Sequence, residues 1–160
     1  MTDSKKQLAF IFIVILGALL LYTGARALSE NDQTRIRKVI YEAALAVETQ
    51  NTARYGWFIS EAYHDSYGYD KAKLLKYVLK LFGDYKPFKI DFKQFKIEAE
   101  KGRATAEIGL KAYFKKAGDK ETYYDAGEFK IHFLLENKNW KVTQMEFRDA
   151  QELFFYPNVA

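Results

Sequence analysis

Hydrophobic positions along the chain follow three successive periods. From Leu8 to Tyr22 they are almost unbroken. From Ile36 they recur as Ile36, Val39, Ile40, Ala43, Ala44 and Val47, one apolar stripe on a helix of about five turns. Ser29, Asn31 and Asp32 offer N-caps before that helix, and "QNT" ends it. "ARYGWFISEAY" reads as one or two short helices with Trp57, Phe58 and Ala62 inside. "EAYHDSYGYD" breaks the period, with Gly68 suited to a turn and Asp70 to the next N-cap. Leu74, Leu75, Val78, Leu79 and Phe82 then mark another helix, with Gly83 as its C′ residue.

After Phe88 the period falls to 2. Phe88, Ile90 and Phe92 alternate, and the phase then shifts to Phe95, Ile97 and Ala99, which predicts a bulge near Lys93 and Gln94. Ala104 to Phe114, Tyr123 to Phe133 and the segment "WKVTQMEFR" supply three further strands, separated by turns at "AGDKE" and "NKN". Helices followed by an antiparallel meander predict an α+β fold, with helices on one face of a curved four-stranded sheet. Ile40, Ala44, Leu79, Ile108, Leu110, Phe129 and Ile131 are the expected core.

The first hydrophobic run concerns location. Read as a helix, Leu8 to Gly24 spans roughly 25 Å, slightly less than a ~30 Å hydrocarbon core. Lys5 and Lys6 before it favour a cytoplasmic N-terminus. Three segments are expected: a transmembrane signal-anchor at 1–28, an α+β domain at 29–150 and a tail at 151–160. The rival is a signal peptide cleaved after Ala27, since Ala25-Arg26-Ala27 has small-x-small spacing. Arg26 and the length of the run favour retention. Either way the domain lies on the extracytoplasmic, periplasmic side of the cytoplasmic (inner) membrane, and the retained segment meets lipid through residues 8–24.

Composition removes several chemistries. There is no cysteine, and the only histidines are His64 and His132, so thiolate and histidine-rich metal sites are excluded; no metal and no cofactor is expected. A net charge of +4 spread over 160 residues is no nucleic-acid footprint. Lys71, Lys73, Lys76 and Lys80 have helical spacing and read as a solvated face.

The long first helix ending in "AVETQNT", the block "YHDSYGYDKAKLLKYVLKLF" and the last strand "WKVTQMEF" together resemble the NTF2-like (cystatin-like, SnoaL-like) superfamily. The resemblance implies a sheet wrapped around the first helix as a cone with an open mouth. It also implies that enzymes, ligand binders and accessory modules are all open. Enzymes of this kind resemble ketosteroid isomerases and dehydratases, with Asp and Tyr side chains entering an apolar cone. The catalytic candidates are then Asp125, on the apolar register of its strand, with His64 and Asp65 near the mouth. Tyr63, Tyr67, Tyr69 and Tyr123 are candidates for a rim, apolar body inward and hydroxyl outward. His132 falls on the polar face as a cross-strand partner.

None of these groups forms a catalytic motif. The leading expectation is therefore a membrane-anchored, non-catalytic interaction or accessory module with a protein partner in the membrane or periplasm. A small-ligand carrier and an isomerase- or dehydratase-like enzyme are the alternatives. A homodimer through the outer sheet face is open, although Arg103, Glu107, Lys111, Lys115, Glu128 and Lys130 make that face charged. The lining of the cone discriminates: converging Asp and Tyr for an enzyme, an uncharged wall for a binder, a filled cone for neither.

Overall fold

The computed structural model describes residues 31–86 and 89–150, without the side chains of residues 149 and 150. The proposed membrane segment and the C-terminal tail lie outside the described residues. Among the described residues, no helix is long and apolar enough to cross a membrane.

Three helices precede four strands: α1 (31–48), α2 (Thr52–Phe58), α3 (Lys71–Asp84), β1 (Lys89–Glu100), β2 (Arg103–Phe114), β3 (Tyr123–Glu136) and β4 (Asn139–Ala150). The strands form one antiparallel sheet in the order β1-β2-β3-β4. Pairing slips between Phe92 and Gln94, where the change of phase requires it, and twice more between β3 and β4. Each slip inserts a bulge that bends a strand, and the helices pack on the resulting hollow.

Both outer hairpins turn through two residues in the left-handed region: Lys101 (φ 46) with Gly102 (φ 79), and Asn137 (φ 48) with Lys138 (φ 65). This geometry matches the twist of the flanking strands. The two turns lie side by side, with the Leu135 amide donating to the Gly102 carbonyl at 2.8 Å. The start of α1 lies over them. Asp32 accepts from the Trp140 indole at 3.4 Å, and the Arg35 guanidinium donates to the Lys138 carbonyl. This is the narrow end of the cone, packed by Ile36, Ala106, Phe133 and Trp140, each 2% exposed or less.

At the other end, Glu48 of α1 accepts from the Ile90 amide at 2.7 Å. Gln50 donates to the last carbonyls of α3, 2.9 Å to Tyr85. Here Phe92, Leu110, Phe129 and Met145 are only partly buried.

Four helical expectations are corrected. Leu79 is 62% exposed, because α3 buries Leu74, Val78, Leu81 and Phe82, and residue 79 lies well around the helix from that stripe. Gly83 sits inside the last turn of α3, which ends at Asp84 with Tyr85 extended. In the α2 region Phe58 is buried, but Trp57 is 51% exposed and Ala62 is exposed. Trp57 lies under the Lys141 ammonium, 3.6 Å from the ring centre. Asn31 and Asp32 are helical rather than caps, and Ser29 lies outside the described residues. Ala44, Leu110 and Phe129, expected in the core, are half-buried, for a reason given below.

Candidate functional site

The alternation of β2, β3 and β4 turns Ile108, Leu110, Phe129, Ile131, Met145 and Phe147 toward the helices. The stripe of α1 faces them with Val39, Ile40, Ala43, Ala44 and Val47. Two of those five are alanines, and Ala112 on β2 is a third small wall residue. The layers therefore do not close completely, and a cavity of about 170 Å³ remains between them. This void is why Ala44, Leu110 and Phe129 are only half-buried.

Two lining side chains, both tyrosines, carry hydroxyl groups: Tyr55 on α2 and Tyr77 on α3. They are set by the close approach of these helices, where a side chain at Gly56 would come within 2.9 Å of Leu75 Cδ1. Burial pushes the Tyr55 hydroxyl up to about 12. Burial also raises Tyr77, with the neighbouring Tyr69 and Tyr85 adding to it. No aspartate, glutamate, histidine, lysine or arginine lines the cavity among the described residues.

The three catalytic candidates lie elsewhere. The Asp65 side chain is buried and organises its own loop: it accepts from the Tyr63 hydroxyl at 3.0 Å and from the Tyr67 and Tyr69 amides at 2.9 Å each. His64 is exposed, and its amide donates to the Thr143 carbonyl on β4 at 3.1 Å. Asp125 pairs with Ala112 across the sheet and accepts from the adjacent Ala126 amide at 2.8 Å. None of the three lines the cavity.

The four tyrosines expected at a rim separate. Tyr63 is 2% exposed, a core side chain rather than a rim one. Tyr67 packs on Phe147 and Tyr69 on Tyr77, each at 6.0 Å between ring centres, so both stand one layer behind the lining. Tyr123 stacks on Phe114 and donates to Asp119 at 2.5 Å, closing the β2–β3 turn.

The two cavity tyrosines were not singled out from sequence. Tyr77 lies three residues after Leu74 and four before Leu81, so it shares their stripe. Tyr55 lies four before Ile59. Helical spacing was a signal for both. On the convex side of the sheet, His132 meets Glu146 at 2.8 Å and Arg148 meets Glu107 at 3.0 Å. Among the described residues, no three His, Cys, Asp or Glu side chains gather as metal ligands.

This hollow sheet closed by three helices has the NTF2-like, cystatin-like fold. An NTF2-like superfamily protein from Salmonella enterica superposes with a TM-score of 0.67 at 10% identity, covering 77% of this chain and 94% of that one. A cystatin-like protein of unknown function from Nostoc punctiforme gives 0.62 at 12% identity, covering 78% and 96%. A Novosphingobium aromaticivorans protein, named provisionally as a scytalone dehydratase, gives 0.68 at 10% identity, covering 73% and 83%. At such identities the likeness shows the fold alone. No protein-family profile and no curated protein matches the chain.

Proposed function

We propose that the domain is a non-catalytic binder of a small apolar molecule, held at the outer side of the cytoplasmic membrane by its N-terminal segment. The observation that carries the binding role is the cavity of about 170 Å³ without an ionisable carboxylate, imidazole or amine in its described wall. Proton transfer requires a base within hydrogen-bond reach of the substrate. Hydrophobic transfer requires only apolar area, which this wall supplies. The membrane location rests on the apolar run from Leu8 to Tyr22 and the lysines before it.

Met145 lines the cavity, and the only other methionine is Met1. A methyl-labelled methionine spectrum of the full chain in lipid nanodiscs therefore isolates the site. Titration with benzene is expected to shift the Met145 resonance saturably, and Ala44→Leu, which fills the void, is expected to abolish the shift. An unmoved Met145 signal would refute the binding role.

The partner role remains as a second reading, favoured by Tyr41 and Leu45, about half exposed on the outer side of α1 beside Phe92 and Phe95. Mild detergent extraction followed by identification of co-purifying proteins tests it. A specific partner lost on Tyr41→Lys with Leu45→Lys would establish it, and recovery unaffected by that pair would exclude this surface.

A further inference from the structure

The composition of the cavity wall is informative about the ligand. A void near 150 Å³ holds about one benzene ring, so ~170 Å³ admits a single ring with a small substituent, or a short chain of similar bulk. A charged ligand would lose its hydration and find no described counter-charge on the wall.

Tyr55 gives the wall one point of polarity. Its hydroxyl makes no hydrogen bond to another described residue. Among the described residues, no polar side-chain atom that is sealed from solvent lacks a partner. An unpartnered hydroxyl must therefore reach open space, and Tyr55 is half-buried against the cavity. Tyr77 also lines the wall but is engaged in a further interaction, so it is not the free group.

Resting on the ligand-binding reading above, we infer that the ligand is a small uncharged molecule with one carbonyl or hydroxyl oxygen, which pairs with the Tyr55 hydroxyl. The raised pKa of Tyr55 agrees with this role, since the hydroxyl keeps its proton and can donate a hydrogen bond at neutral pH. Burying a ligand oxygen without that donor would leave it unsatisfied.

Two ligands of equal shape make the test: acetophenone, which carries a carbonyl, and α-methylstyrene, which carries a methylene in its place. Both are titrated by the Met145 methyl shift against the full chain in nanodiscs at one lipid concentration, so partition into lipid cancels in comparisons between variants. Tyr55→Phe is expected to weaken acetophenone about tenfold and to leave α-methylstyrene within about twofold. Tyr77→Phe is expected to change the ratio between the two ligands by less than about twofold. Equal effects of Tyr55→Phe on both ligands would overturn the assignment while leaving the cavity a binding site. Failure of both ligands to bind the unaltered protein would overturn the binding reading itself. Benzoate, bound as tightly as acetophenone, would overturn the requirement for a neutral ligand.

Discussion

The two ends of the cone are made from the same strands and the same helix, yet they pack differently. At the narrow end Ile36 and Trp140 are buried between α1 and the sheet, at 0% and 2% exposure, and neither lines the cavity. At the wide end Ala43, Ala44 and Ala112 stand where larger side chains would close the gap. The wide end forgoes some packing and keeps a cavity. Apolar residues make up both ends, so side-chain volume separates the filled end from the hollow one.

The contrast is most directly broken by truncation at each end. Trp140→Ala is expected to cost about 3–5 kcal/mol, the range for a large aromatic in a packed core. Leu110→Ala, beside an existing void, is expected to fall near the low end of its range, about 2 kcal/mol. In denaturant unfolding, a Leu110→Ala loss near the top of the leucine range, about 5 kcal/mol, would show that the wide end is packed as tightly as the narrow one.

The next effect is alkaline. The Tyr55 hydroxyl is protonated in folded and unfolded chains below about pH 10 and then adds no pH dependence. Between about 10 and 12 the unfolded chain releases this proton while the folded one holds it, so stability falls as pH rises. The loss is expected to be on the order of 2 kcal/mol across that window. Tyr55→Phe should remove this share of the alkaline loss and leave the share of Tyr77, as unfolding midpoints near pH 9 and pH 11.5 would show. An unchanged slope in the variant would mean that the wide end is wetter than its apolar wall implies.

The smallest effect sharpens the comparison from the other side. Ala44→Leu should raise the unfolding free energy by up to about 1 kcal/mol, since it fills existing space and gives up little helix propensity. A loss of more than about 1 kcal/mol would show that the void is too narrow to take the added atoms.

Much of the architecture was readable in the chain because each signal was local. The switch of period after Phe88, the alternation of β2 and the phase slip at Lys93 all depend on neighbours in sequence. Asp70 is likewise a local cap, accepting from the Lys73 amide at 2.8 Å. The site was less readable. His64, Asp65 and Asp125 drew notice by chemical type, but their surroundings are set by a loop, a strand edge and a turn brought together by folding. Leu79 was misplaced because Leu74, Leu75, Val78, Leu79 and Phe82 form too broad an arc for sequence to say which edge faces the sheet. The cavity itself is a mismatch of volumes between α1 and three strands, and no single segment records it. Tyr55 and Tyr77 were visible as stripe members, but their hydroxyls gain meaning only beside that void.

The clasp between α1 and the β3–β4 turn has a mechanical consequence. Tension entering the domain at residue 31 reaches the sheet first through Asp32 with Trp140 and Arg35 with Lys138. If the segment before residue 31 is held at a membrane, as proposed above, a pull on it meets these two contacts before it meets the cavity wall.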